Sequence, residues 1–220
     1  CVLDPDGDIL RHLRDRRHAH LDPHWACYHT DLYTFTRQGM RLGMIGCAVG
    51  ASFAVLLAEE LFAAGCELLV SITSAGQILP LGEPPYFVLI DRALRDEGVS
   101  YHYLPPADFS APLPHVLARL GGAFDKSPLT VHGGASWTTD APFRETEAAI
   151  QRAQSLGILA VEMEAAGLYA FSTATGAPVI CFANVTNQMA QIEGDFEKGA
   201  ANGSEDALTL IDAVVRAWVG

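Results

Sequence analysis

Residues 161–169, with the sequence VEMEAAGLY, place Glu162 and Glu164 one residue apart, between a short apolar run and a helix-forming run. This pattern predicts a strand that passes directly into a helix, and a side chain at such a junction points into a cleft. An ionised carboxylate there accepts hydrogen bonds from paired hydroxyls such as those of a ribose. The alternative is a pair of solvated acids at a helix start, where negative charge suits the helix dipole.

Short strand-like runs alternate with helical runs on both sides of this segment, which predicts an α/β domain. The predicted strands are 40–47, 68–72, 86–90 and 178–184, and the predicted helices are 51–64, 144–156, 164–175 and a last helix capped by Ser204. A turn is predicted at 73–76 and a loop at 104–114, where four prolines occur. Because the strands are spread through the chain without a break in composition, we expect one domain over residues 1–220.

Composition excludes several classes of protein. With 50% hydrophobic and 18% charged residues among 220, the chain is typical of a folded globular protein. The formal net charge of −12 repels polyphosphate, so we expect no nucleic acid partner. No apolar run reaches the ~18 residues of a membrane helix. Without a signal peptide, and with five cysteines and no CxxC pair, we expect reduced thiols in a cytoplasmic protein.

Further segments carry a resemblance to a known family, in the family's order. Residues 95–101 (RDEGVSY) resemble its RDDGTSY segment, and residues 137–145 (WTTDAPFRE) resemble the segment that lines its base pocket. Residues 48–51 (AVGA), followed by EEL at 59–61, are similar to its GMGAP…EEL pattern. Together with VEMEAAGLY, these segments resemble the nucleoside phosphorylase family over nearly all of the chain.

The resemblance implies a fold and a chemistry. The fold is a three-layer αβα sandwich with a central mixed, partly barrel-like sheet. The family forms homo-oligomers, dimers or hexamers, in which a neighbour completes each site. Its chemistry attacks C1′ of a ribonucleoside with phosphate or water, and the transition state resembles an oxocarbenium ion. The protein must therefore stabilise a cationic sugar and a departing base anion. No cofactor is implied beyond inorganic phosphate as co-substrate.

The resemblance also assigns the nucleoside-binding residues. It places Glu162, Met163, Glu164, Phe143 and Asn184 at the ribose and the base, with Glu164 and Asn184 catalytic. Purine-specific relatives hold a polar residue against N7 of the base, often Asp as general acid. An Asn cannot deliver a proton, but its donor and acceptor suit a 6-oxopurine.

Two differences from uridine-specific relatives favour a purine. Those relatives have an Arg directly after this Asn and a Gln in the pocket loop. Here Val185 and the short stretch 142–144 (PFR) stand in their place. The turn-forming alternative for Asn184, at the end of a strand, remains open.

A phosphate site is expected at Gly7, Arg11 and Ser74. Residues 7–11 (GDILR) resemble the family's GDPxR phosphate loop, with Ile9 in place of the proline. Glycine lets backbone N–H groups approach an anion, and a guanidinium can clamp it bidentately. Ser74 falls where the family places a hydroxyl on the nucleophile. Phosphorylases of the family usually carry an Arg at the position of Ser71, however, while hydrolytic relatives carry a small neutral residue.

Metal and dinucleotide sites are not expected. Four histidines lie near Arg14, Arg16 and Arg17 without carboxylate or thiol ligands at fixed spacing; they are His12, His18, His20 and His24. His24 or His29 of a neighbouring subunit is a candidate for contact with the sugar 5′-hydroxyl. The glycine pairs at 121–122 and 133–134 lack the GxGxxG context.

The sequence therefore predicts an enzyme that cleaves a purine ribonucleoside with phosphate, giving free base and ribose 1-phosphate. The first alternative is a nucleosidase that uses water in the same site, which Ser71 favours. The second is a non-catalytic nucleoside-binding relative, because a fold does not determine a function.

Overall fold

A sheet of ten strands organises the computed structural model, which describes residues 1–125, 127–187 and 198–220. The strands are β1 (Val2–Asp4), β2 (His20–Leu21), β3 (Tyr33–Arg37), β4 (Met40–Gly46), β5 (Leu69–Gln77), β6 (Tyr86–Asp96), β7 (Phe109–Ser110), β8 (Val131–Thr139), β9 (Ile158–Glu162) and β10 (Val179–Asn187). The helices are α1 (Asp8–Asp15), α2 (Ala51–Ala63), α3 (Ser100–Tyr103), α4 (Pro114–Arg119), α5 (Glu147–Ser155), α6 (Ala165–Thr175) and α7 (Ser204–Val219), with a 3-10 turn at Pro142–Arg144.

Five of these strands close into a barrel in the order β5, β10, β6, β8, β9. Strand β10 runs parallel to β5 and antiparallel to β6, and β9 closes the ring by pairing antiparallel with the last residues of β5. The first half of β5 pairs instead with β1, from which β4, β3 and β2 extend the sheet. The expected mixed, partly barrel-like sheet is confirmed.

Helices cover both faces of the sheet. On one face α2 and α6 pack against each other and against buried residues of β5 and β10. Their close approach depends on Gly167, because a Cβ there would lie 2.8 Å from Val99 Cγ1 and 3.0 Å from Ala51 Cβ. On the other face α1 and α7 cover a second buried cluster that includes Val70 and Phe182. The three-layer arrangement is therefore confirmed as well.

Most predicted elements match, and the exceptions have local causes. The predicted turn at 73–76 is wrong, because β5 continues through it while paired to β10 on one edge and β9 on the other. Ser204 is the first residue of α7 rather than its cap; Gly203, at φ +77°, takes the cap position. The predicted loop 104–114 contains the short strand β7, which pairs with β6.

In the described part of the chain, none of the helices has the length and apolar character needed to cross a membrane. All five cysteines are free thiols.

Candidate active site

The junction between β9 and α6 is held by the carboxylate of Glu162. Its Oε2 accepts hydrogen bonds from the backbone N–H groups of Glu164 and Ala165, both at 2.7 Å. Its Oε1 accepts from the hydroxyls of Ser136, at 3.0 Å, and Thr138, at 2.5 Å. Glu162 thus satisfies the first free N–H groups of a helix start and ties that start to β8.

The carboxylate of Glu162 is therefore already engaged in hydrogen bonds within the protein, whereas the sequence predicts that it binds the ribose. The residue is only 3% exposed, and both oxygens are already bonded within the protein. A ribose hydroxyl would have to displace an internal donor to reach it. In the structure Glu162 fixes the backbone N–H groups of Glu164 and Ala165, and its contact with the ribose stays a prediction.

Glu164 is buried at the N-cap of α6, yet its bonds leave acceptor capacity. Its Oε1 accepts from the backbone N–H of Gly50 at 2.7 Å, and its Oε2 accepts from that of Met163 at 3.3 Å. Gly50 can sit there because its φ of +94° is one that a larger residue rarely adopts. Burial and the nearby Glu162 raise the pKa of Glu164 to about 8, against hydrogen bonds from Gly50 and Thr73 that lower it.

Asn184 and Ser74 lie side by side on the parallel strands β10 and β5. Asn184 is 8% exposed, and its Oδ1 has no hydrogen-bond partner among the residues that the structure describes. A Cβ at Gly203 would lie 2.6 Å from the backbone carbonyl oxygen of Lys198 and 2.8 Å from Asn184 Nδ2, so glycine gives this amide room without a shift of the backbone. Because Thr73 precedes Ser74 and bonds Glu164, the three predicted residues Glu164, Ser74 and Asn184 share one end of the barrel.

The loop between β1 and α1 is built on a buried aspartate. Asp4 is 1% exposed, and its carboxylate accepts from the backbone N–H groups of Gly7, at 3.2 Å, and Leu10, at 2.9 Å. Burial raises the pKa of Asp4 to about 7, with Asp6 and Asp8 adding to the shift. The N–H of Gly7 also donates to the carbonyl of Asp4 at 2.9 Å, so it is already used inside the loop.

Asp6 stands where the sequence predicts a phosphate contact. Its Oδ2 accepts from the hydroxyl of Ser74 at 2.5 Å and from the backbone N–H of Ser74 at 3.1 Å. The ammonium of Lys198 lies 3.3 Å from the same oxygen and 2.6 Å from Asp8 Oδ2. Burial alone would lower the pKa of Lys198, but its bond to Asp8 and the charge of Asp6 outweigh it and raise that pKa.

The remaining residue of the predicted phosphate set, Arg11, lies at the exposed edge of this cluster. It forms an ion pair with Asp8 at 2.6 Å, and its side chain is 58% exposed. Ser71, where the resemblance implies an Arg in phosphorylases, is buried in β5, and its hydroxyl has no partner within the described residues. Ser74 is thus bonded to Asp6 and Arg11 to Asp8, and the phosphate site at Gly7, Arg11 and Ser74 stays a prediction.

Two residues that are predicted to contact the ribose and the base, Phe143 and Met163, are more exposed than Glu164 and Asn184. Phe143 lies in the 3-10 turn that follows β8 and is 99% exposed. Met163 lies between the two glutamates and is half-buried. Trp137, from the same predicted base-pocket segment, is buried, and its Nε1 donates to Asp96 at 2.9 Å.

A match to a family model decides the relationship to known proteins. The model described as "Phosphorylase superfamily" matches residues 9–216. This chain belongs to the phosphorylase superfamily. Its named relatives are pentosyltransferases.

Curated relatives in the superfamily are distant. The DeoD-type purine nucleoside phosphorylase of Myxococcus xanthus is 26% identical over 159 residues, which cover 71% of this chain and 66% of the relative. That of Proteus mirabilis is 24% identical over 185 residues, covering 83% and 75%. The guanosine phosphorylase of Halorubrum lacusprofundi is 26% identical over 179 residues, covering 81% and 73%.

Solved structures support the fold. The uridine phosphorylase of Vibrio fischeri superposes with a TM-score of 0.78 at 20% identity, covering all of this chain and 91% of that one. At this identity the likeness concerns the fold alone. The relatives include enzymes named for purines and for uridine, so they do not fix the base.

Sequence reasoning missed Asp6, Thr73 and Lys198. Asp6 belongs to an alternating run of aspartates, Asp4, Asp6 and Asp8, whose density was the available signal. Thr73 fell in a predicted turn, and Lys198 lies about 190 residues from its partners, so nothing local marked either of them.

Proposed function

We propose that this phosphorylase-superfamily member cleaves the N-glycosidic bond of a purine ribonucleoside. The observation that carries the proposal is Glu164, a buried carboxyl held by backbone donors at the end of the barrel that also bears Ser74 and Asn184. A carboxylate fixed there accepts hydrogen bonds from the ribose 2′- and 3′-hydroxyls. In its ionised form, which dominates above its pKa of about 8, its negative charge favours the cationic sugar of the transition state over the neutral ground state.

Asn184 supports a purine as the base. Its buried Oδ1, unpartnered within the described chain, is an acceptor for the N7–H of a departing purine. Such a bond strengthens as the base leaves, because N7 gains its proton only when the C1′–N9 bond breaks. The amide cannot supply that proton, which comes from solvent.

The nucleophile that the geometry supports best is water. Asp6, bonded to Ser74, puts a carboxylate where a phosphate would need donors, and Asp8 adds a second negative charge beside it. In the proposed step a water held by Ser74 attacks C1′ and gives one proton to Asp6. The C1′–N9 electron pair goes to the base, which takes a proton from solvent, and the products are ribose and free purine.

Phosphorolysis is the second candidate. It is favoured by the names of the relatives, which are phosphorylases, and by the exposed guanidinium of Arg11 beside the Gly7 loop. For phosphate to bind, the hydroxyl and the N–H of Ser74 would have to release Asp6 and donate to the anion instead. The ammonium of Lys198 would then be a cation beside the phosphate. We also infer a cytoplasmic homo-oligomer, for which light scattering on the purified chain is the test.

A nucleoside panel tests the proposal. Inosine, guanosine, adenosine and uridine are incubated with the purified protein, and base release is followed by chromatography. We expect release from the 6-oxopurine nucleosides first. Binding of inosine without release of base, with and without phosphate, would show a nucleoside-binding protein instead of an enzyme.

A further inference from the structure

Three potential metal ligands meet outside the candidate active site. Cys27 and His29 lie on the segment between β2 and β3, and Glu60 lies on α2. This segment is held in place locally. Trp25 Nε1 donates to Thr30 Oγ1 at 3.0 Å, and the backbone N–H of His24 donates to Asp22 Oδ1 at 2.9 Å.

The ligand atoms of the trio lie close together, near the separations found around one ion. Cys27 Sγ lies 3.1 Å from His29 Nε2, and Glu60 Oε1 lies 3.5 Å from that same nitrogen. All three ligand atoms lie within 4.8 Å of one another. Tetrahedral zinc with Zn–S of about 2.3 Å and Zn–N or Zn–O of about 2.0 Å separates its ligand atoms by roughly 3.3–3.6 Å.

The geometry also argues against a catalytic relay of thiol, imidazole and carboxylate. Such a relay needs the two ring nitrogens of the histidine to face different partners. Here the sulfur of Cys27 and the oxygen of Glu60 both approach Nε2 of His29. One ring nitrogen carries at most one hydrogen, so convergence of both partners on it suits a shared cation.

Glu60 provides an independent observation. Its Oε2 is buried and has no hydrogen-bond partner among the described residues. A buried carboxylate oxygen without a donor is unfavourable. Coordination of a cation by this carboxylate would remove that deficit.

We propose that Cys27, His29 and Glu60 form a binding site for a divalent transition metal ion, with Zn²⁺ the best match. A thiolate and an imidazole exclude Mg²⁺ and Ca²⁺, which prefer oxygen ligands. Cys27 and His29 line a cavity of about 570 Å³ that Gly7, Arg11 and Cys47 also border. The fourth position of a three-ligand site would take a water from this cavity. The four histidines weighed as metal ligands from the sequence, His12, His18, His20 and His24, are not part of the trio; His29 was named there only as a candidate for contact with the sugar 5′-hydroxyl.

The test is metal binding by the tag-free chain, stripped with a chelator and titrated with Zn²⁺ by calorimetry. We expect one Zn²⁺ per chain. Cys27→Ser and His29→Ala should each weaken binding by more than about 100-fold, because even residues behind the ligands change affinity by about 10- to 100-fold. Glu60→Gln should weaken it as well. The matched controls Cys47→Ser, His24→Ala and Glu59→Gln should bind Zn²⁺ as the unmodified protein does.

Cobalt identifies the sulfur ligand directly. Co²⁺ bound to the unmodified protein and to Cys47→Ser should show a thiolate-to-cobalt charge-transfer band that Cys27→Ser lacks. Circular dichroism on each metal-free variant separates loss of a ligand from loss of fold, and Cys27→Ser changes a single atom. Zinc uptake below one per chain, or equal affinity in Cys27→Ser and Cys47→Ser, overturns the proposal.

Discussion

The carboxylate of Asp6 accepts two hydrogen bonds from Ser74, one from the hydroxyl at 2.5 Å and one from the backbone N–H at 3.1 Å. These are the donors that a phosphate would need from this residue. A carboxylate in the same place is an acceptor for a water proton. This contact is the basis on which we propose water, rather than phosphate, as the nucleophile.

Replacement of Asp6 tests that role. Asp6→Asn keeps the size of the side chain but removes the proton acceptor. We expect kcat/KM for inosine hydrolysis to fall by about 100-fold or more, the usual contribution of a general base. Asp15→Asn is the control, because Asp15 is an exposed aspartate at the end of α1, the helix that follows the loop of Asp6. Equal rates in the two variants would remove Asp6 from the chemistry.

Replacement of Glu164 tests the ribose contact. At a pH above the Glu164 pKa of about 8, where the carboxylate is ionised, Glu164→Gln should lower kcat/KM for a ribonucleoside by roughly 100-fold, about 3 kcal/mol, because a charge that favours the cationic sugar is lost. A 2′-deoxyribonucleoside should lose less, since it lacks one of the hydroxyls in the contact. Glu59→Gln serves as the control, because Glu59 lies on α2 and bonds Tyr103. An equal loss for both sugars would contradict the assignment.

The raised pKa values of Glu164, to about 8, and Asp4, to about 7, predict how stability depends on pH. Their reference values are 4.5 and 3.8, so between about pH 4 and 8 the folded state binds more protons than the unfolded state. Stability is therefore fully present below the reference pKa values and is lost as pH rises towards 8.

Urea unfolding of the unmodified protein and Glu164→Gln at pH 5, 6.5 and 8 measures this effect. The difference between the two proteins isolates Glu164 from other groups that titrate, including His12, whose pKa is lowered by burial and by Arg16. We expect the unmodified protein to lose more stability than the variant between pH 5 and 8. Parallel curves would show that Glu164 does not titrate in this range.

Asn184 should control base preference. Asn184→Asp introduces an acid that can protonate N7 whatever the 6-substituent, so the ratio of kcat/KM for adenosine to that for inosine should rise. An increase of about 10-fold corresponds to about 1.4 kcal/mol, the size of one hydrogen bond. The exposed Asn202→Asp is the control. An unchanged ratio in Asn184→Asp would place this residue outside the base pocket.

The fold could be predicted from the sequence to a large extent. Amphipathic and apolar runs predicted α2, α6 and β4 nearly to the residue. The buried positions of these elements recur at a regular spacing that can be read from the sequence. The continuation of β5 through 73–76 could not be predicted, because small polar residues favour turns until neighbouring strands pair with both edges.

The candidate site was predictable only in part. The strand-to-helix junction that carries Glu164 is formed by adjacent residues, so the sequence predicts it. The alignment of Asn184 with Ser74 arises from the pairing of β10 with β5. The division of roles between Glu162 and Glu164 depends on Ser136, Thr138 and Gly50, which lie far away in sequence. Asp6 reaches Ser74 across 68 residues, so this contact was visible only in three dimensions.

Product analysis in the presence of phosphate tests the central claim most directly. Inosine is incubated with the protein at increasing inorganic phosphate, and hypoxanthine, ribose and ribose 1-phosphate are quantified by chromatography and ³¹P NMR. Water as nucleophile predicts one ribose per hypoxanthine, no ribose 1-phosphate, and a rate that phosphate does not increase. Formation of ribose 1-phosphate in step with hypoxanthine, at a rate that rises with phosphate, would contradict it and establish phosphorolysis.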